Sequence, residues 1–177
     1  DLVTANPRKV KSLEDYLKIL HVWTERIQSS PSAIERSVYE IIGKEYRGSR
    51  VEKIELRFNP MKRNLEGERD LDHIIHAAIR GMDQASLEYG VRGGLILCLA
   101  REFSTDINRI ILEKAIKYSK KGRFSRAFKA HWHLGYLYKE FKQAGKACAH
   151  FRSYLKDAPD NVGDRPEIAE EITRGCR

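Results

Sequence analysis

The sequence predicts an α/β segment over residues 1–122 and an all-α segment over 123–177. Val51–Phe58 alternates apolar and charged residues, as a half-buried strand does, and Leu95-Ile-Leu-Cys-Leu-Ala100 is a short apolar run of the kind buried on both faces of a parallel sheet. Between them runs a long apolar stripe at helical spacing. The order strand, helix, strand, helix implies a right-handed βαβ unit with about two parallel strands and flanking helices. After Gly122 the apolar pattern is helical only.

Ser12-Leu-Glu-Asp15 reads as a capping box, and Leu13, Tyr16, Leu17, Leu20, Trp23 and Ile27 recur at helical spacing, so an amphipathic helix is expected to about Gln28. Ser29-Ser-Pro31-Ser32 ends it. A second helix carries Ile34, Val38, Ile41 and Ile42 on one face and stops at Gly48. In the first strand Ile54, Leu56 and Phe58 share one side, Lys53, Glu55 and Arg57 the other, and Asn59-Pro60 closes it. Asp70 opens a long helix with Leu71, Ile74, Ile75, Ala78, Ile79, Met82, Ala85 and Tyr89 in one stripe, ending at Gly90. Gly90-Val-Arg-Gly93-Gly94 reads as a turn, because a phosphate-cradling loop must follow a strand and open a helix. Asp106–Lys120 reads as the next helix.

Farther on, Leu134-Gly135, Tyr138, Ala147, Phe151 and Pro159 fall at L-G-x2-Y, A-x3-F and P. Over about residues 128–161 this spacing resembles a tetratricopeptide hairpin, with His131 where that repeat prefers Trp. Its small residues let two antiparallel helices approach while aromatics fill the gap; Asp164–Arg174 reads as a capping helix.

With 41% hydrophobic and 33% charged residues in 177, the composition is that of a soluble globular protein. No apolar run is long enough to cross a bilayer, so no membrane partner is expected. The first residues lack a signal-peptide pattern, and the missing initiator Met suggests a trimmed chain or a fragment. Three widely spaced cysteines (Cys98, Cys148, Cys176) suggest neither a disulfide framework nor a metal knuckle, and a reducing cytoplasm fits them best. The net charge of +8 is spread out: Arg8-Lys9-Val10-Lys11 and the group from Lys117 to Arg123 are short and lie beside acidic helices, so no specific nucleic-acid partner is expected.

Val51–Pro60, with its Ile-Glu-Leu-Arg-Phe-Asn-Pro core, resembles the second barrel strand of the adenosine deaminases, and the elements after it continue in that family's order. The resemblance runs from about Val10 to Gly122, roughly 110 residues. It implies a partial (β/α) barrel, belonging to hydrolases in which zinc activates a water that displaces ammonia from the purine ring. It also implies zinc ligands from an H-x-H on the first strand, a later His and a late Asp, with a proton-shuttling Glu after His-Ala-Gly. This chain has no His before His21 and no His-Ala-Gly-Glu, so no metal ligand, catalytic residue or cofactor is carried over, zinc included. Glu55, Arg57 and Asn59 alone match positions near a strand end that would face a barrel mouth, and a buried ion pair serving packing is expected of Glu55 and Arg57.

Other histidines are weaker candidates. His131-Trp-His133-Leu134 copies the zinc H-x-H-L, but on a helix the two rings point about 200° apart. His73 and His76, with Asp72, lie off the apolar stripe and read as a solvated face. Cys98 reads as an inert core thiol. The functional expectation is a truncated or chimeric deaminase relative, inactive as an isolated chain; the alternative is a protein-binding or structural module using the tetratricopeptide-like helices. In either case a protein partner or self-association is expected to cover open sheet edges.

Overall fold

Ser12 starts the first helix as its sequence requires, its Oγ accepting the Asp15 N–H at 3.1 Å, while the Asp15 carboxylate reaches back to the Lys11 N–H at 3.2 Å. The computed structural model describes residues 10–64, 70–119 and 128–176, so the junction expected near Gly122, the basic residues Arg8 and Lys9, and Lys120–Arg123 lie outside the described residues. Helix α1 (Leu13–Lys18) passes into a π-helical turn (Ile19–Thr24) and a short α2 (Glu25–Ile27). This corrects the single continuous helix expected from the sequence. Apolar residues three and four apart satisfy either winding over so short a stretch, so the spacing carried no sign of the wider turn.

Ser30 caps α3 (Pro31–Ser49), its Oγ accepting the Ala33 N–H, and Pro31 occupies the first turn, where a missing N–H costs nothing. Gly48 lies inside the helix rather than ending it; Arg50 takes the left-handed terminal conformation at φ 53°. Strand β1 (Lys53–Phe58) keeps the expected alternation, with Ile54, Leu56 and Phe58 half-buried and Lys53, Glu55 and Arg57 exposed. Asp70 caps α4 (Leu71–Tyr89), and Gly90 ends it at φ 70°.

Strand β2 (Arg92–Leu97) begins three residues earlier than expected. Only Gly90 belongs to the turn; Gly93 and Gly94 are strand. A side chain at Gly93 would bring its Cβ to 2.5 Å from Met82 Cγ, so glycine there lets the strand close on α4. Arg92 donates its N–H to the Glu52 carbonyl at 2.9 Å, and β1 and β2 pair as a two-stranded sheet, parallel because α4 carries the chain back between them. The apolar run is not buried on both faces: Leu95 is enclosed, Ile96 to Cys98 are half-buried and Leu99 is exposed. A two-stranded sheet covers less of each strand than a closed barrel does.

The chain forms two compact units, residues 1–94 and 95–177, with the division falling within β2. In the first, α3 packs on α4 through Ile34, Val38 and Ile42 against the stripe from Leu71 to Ala85. Gly81 permits that approach, since a Cβ there would lie 2.2 Å from the Glu35 carbonyl oxygen. The opening helical stretch leaves Leu13, Tyr16, Leu17, Val22, Trp23 and Ile27 exposed.

The second unit holds α5 (Thr105–Ser119), α6 (Phe128–Glu140), α7 (Ala144–Asp157) and α8 (Arg165–Gly175). Helices α6 and α7 form a hairpin whose core is Leu134, Tyr138, Ala147, Phe151 and Tyr154, joined by Leu112 of α5 and Ile168 of α8. Arg165 donates to the Leu155 and Ala158 carbonyls at 2.8 and 2.5 Å, satisfying the end of α7. Cys148 and Cys176 are joined in a disulfide with Cα atoms 5.6 Å apart. This corrects the expectation of unlinked thiols: the two cysteines, 28 positions apart, meet because the chain folds back through α8, a proximity that cysteine spacing does not encode.

Candidate functional site

The elements that would face a barrel mouth meet at the end of β1. Asn59 is buried, and its Oδ1 accepts the Lys62 N–H at 3.0 Å, folding residues 60–63 into a tight turn completed by an Arg63 N–H to Pro60 carbonyl bond. That turn directs Lys62 and Arg63 toward Glu25, whose Oε1 lies 3.8 Å from Lys62 Nζ and 3.3 Å from Arg63 Nη1. From the π-helical turn, His21 brings Nδ1 to 2.9 Å from the same oxygen. The side chains of Glu25, Lys62 and Arg63 are only 14%, 16% and 17% exposed, so this is a part-buried charge cluster rather than a loose surface pair.

Beside the cluster, α3 and the half-buried side of β1 enclose a cleft of about 100 Å³. Ile34, Val38, Leu56 and Phe58 supply its apolar lining, and Arg57 and Arg63 also border it. Such a site positions and holds; among these residues there is no nucleophile paired with a base.

The sequence-derived candidates fare differently. Asn59 shapes the turn, and Arg57 reaches the cleft. Glu55 and Arg57 are both exposed, so the buried ion pair expected of them is not formed; among the described residues nothing covers their side of β1. His73 is exposed and His76 half-buried on α4, and Cys98 directs its thiol toward the Ile96 carbonyl at 4.0 Å. Spacing arguments missed Glu25, Lys62 and Arg63, because the turn that assembles them is set by one Asn side chain. The available signal was Asn59-Pro60, read as a strand stop.

After β2, Asn108 of α5 clamps the following loop, its Oδ1 accepting the Ala100 N–H at 3.2 Å and its Nδ2 donating to the Ala100 and Phe103 carbonyls at 3.0 and 3.3 Å. In the hairpin, His131 and His133 do not converge. His133 is exposed, and desolvation by its neighbours followed by the nearby Lys129 charge pulls its pKa below the usual imidazole value. His131 instead meets His150 of α7, Nδ1 to Nδ1, at 2.9 Å.

The donor sets do not fit the zinc that the family resemblance implies. Such a site needs two strand histidines two apart plus further His and Asp, whereas here His21 is bonded to a carboxylate among cations, and His131 and His133 diverge on a helix. Among the described residues no three His, Cys, Asp or Glu side chains are grouped to hold a metal ion. No helix among them is long and apolar enough to cross a membrane.

Residues 2–128 match the family model for adenosine deaminase. Curated relatives include the adenosine deaminases of Vibrio vulnificus strain YJ016, 28% identical over 116 residues, Vibrio atlanticus strain LGP32, 29% over 119 residues, and Clostridium perfringens strain 13, 29% over 116 residues. Each alignment covers 66% of this chain and 34% of the relative, so the chain spans about a third of the length of the curated relatives it matches.

Proposed function

We infer function from one premise: the chain belongs to the adenosine deaminase family, whose model matches residues 2–128 of its 177. The given segment is an adenosine deaminase relative, a hydrolase by descent, that supplies a βα segment and a strand-end cluster of Glu25, Lys62 and Arg63 but does not deaminate adenosine as an isolated chain. The observation that carries this reading is the family match joined to the missing H-x-H strand and His-Ala-Gly-Glu sequence. Glu55, Arg57 and Asn59 contribute shape and charge near the strand end rather than acid/base chemistry.

Zinc content and adenosine-to-inosine conversion of the purified chain test it. Neither stoichiometric zinc nor turnover is expected; finding both would overturn the proposal. A cytoplasmic location is part of this reading, and the Cys148–Cys176 disulfide weighs against it.

A second reading, a protein-binding or structural module, draws support from the hairpin. Leu134, Gly135, Tyr138, Ala147 and Phe151 occupy tetratricopeptide-like positions and are buried. A side chain at Gly135 would put its Cβ 2.2 Å from the Phe151 ring, so the glycine serves close helix approach as in that repeat. Under this reading the exposed apolar residues Leu13, Val22 and Ile27 and the open sheet edges are covered by another protein or a second copy. Sedimentation over a range of concentrations tests self-association: a constant monomer mass would remove the second copy from consideration.

A further inference from the structure

The contact between His131 and His150 is more specific than packing requires. Their ring centroids lie 5.2 Å apart and their Nδ1 atoms 2.9 Å apart. The first distance is the nitrogen gap plus about one ring radius at each end, so the nitrogens meet head-on along the line joining the rings. Two histidines sharing a metal ion aim their lone pairs at a third point off that line. A head-on approach is instead the geometry of an N–H···N hydrogen bond, with one nitrogen donating and the other accepting.

The arrangement limits how many protons the pair holds. With both rings neutral, the donor carries its proton on Nδ1 and leaves Nε2 bare, while the acceptor carries its proton on Nε2. A first added proton goes to the donor's Nε2 and strengthens the bond by making it charge-assisted. A second has only the acceptor's Nδ1, where it removes the lone pair that the bond uses and sets two N–H groups, each on a cation, against one another.

We propose that His131 and His150 form a proton-limited latch across the α6–α7 hairpin, closed with no or one added proton and forced open by the second. The surrounding groups leave the latch little relief. Tyr138 of α6 stacks on the His150 ring at 5.4 Å and donates its hydroxyl to Glu113 of α5 at 3.2 Å. Glu113 is also held by Arg109 at 2.8 Å, and Lys146 of α7 sits over the opposite partner's ring, Tyr138, at 5.2 Å. On α8, Glu167 and Glu171 are engaged by Tyr136 and Lys139. Among the described residues Glu113 thus offers one partly committed negative charge, favouring a single cation at the pair.

Burial, then the neighbouring His131, lower the His150 pKa, and Glu113 opposes them. A histidine whose folded pKa is depressed contributes stability that is fully present above its unfolded pKa of about 6.5 and is lost as pH falls from there toward the folded value.

The test is an NMR titration of the imidazoles in the full chain, with amide exchange followed alongside. His131 and His150 are expected to titrate as a coupled pair in two steps more than about one pH unit apart, and exchange protection in α6 and α7 to fall across the lower step. In H150Q, His131 should titrate in one step and that pH-dependent loss of protection should disappear. H133Q removes a neighbouring exposed histidine and should leave the two steps in place, so the outcome does not depend on one variant folding. Independent single-step titration of His131 and His150 in the unaltered chain, or the same loss of protection in H150Q, would overturn the latch. So would zinc binding near neutral pH with both histidines as ligands.

Discussion

The two units solve the same problem, burial of helical apolar faces, to different extents. In the second, four helices close on one core: Leu134, Phe151, Tyr154 and Ile168 are almost fully enclosed, and α8 is tied down by a disulfide and by Lys129–Asp164 and Lys139–Glu171 ion pairs. In the first, α3 and α4 pack tightly, yet Leu13 and Ile27 are 72% and 61% exposed and β1 presents a bare charged side. Among the described residues the second unit leaves fewer large apolar side chains exposed, Leu99 and Phe141, than the first. A barrel covers both faces of each strand, and a segment of one does not.

Substitutions can sharpen that contrast. Trp23 and Trp132 are the chain's two tryptophans, one in each unit, so W23F leaves Trp132 fluorescence to report on the second unit alone. In that background Phe151→Ala, which empties the centre of the hairpin, is expected to cost about 3–5 kcal/mol in urea unfolding. Cys148→Ser should cost the same unit about 2–4 kcal/mol and speed amide exchange in α8, with dithiothreitol reproducing the effect in the unaltered chain. Gly81→Ala pushes a methyl toward the Glu35 carbonyl and should cost the first unit about 1–3 kcal/mol, read by Trp23 fluorescence in a W132F background. Leu13→Ser and Ile27→Ser come last, at less than about 0.5 kcal/mol, because those side chains are already in water. A cost there as large as that of Gly81→Ala would mean the face is covered in solution, and the contrast between the units would fail.

Features built from neighbours in the chain were legible in advance: the Ser12 cap, the α4 stripe from Leu71 to Ala85, the Gly90 stop and the alternation of β1. Each depends on periodicity or on one side chain bonding the backbone a few residues away. What escaped depends on distant partners. The π-helical turn satisfies the same apolar spacing as an α-helix. β2 starts at Arg92 because Met82, ten residues earlier, needs the space at Gly93. The disulfide and the His131–His150 contact arise only when α7 folds back on α6 and α8 on α7. At the strand end, Asn59 was identified by resemblance, but the convergence of Lys62 and Arg63 on Glu25 crosses from a turn to a helix and has no spacing to read.

The bond between Cys148 and Cys176 also makes a covalent ring of everything between them. That ring includes the exposed stretch Pro159-Asp160-Asn161, a place where a protease can enter. A single cut there opens the ring without releasing a fragment. The nicked chain keeps its mass and its core, and the severed pieces separate on a gel only after reduction, so intactness judged without a reducing agent would overlook the break.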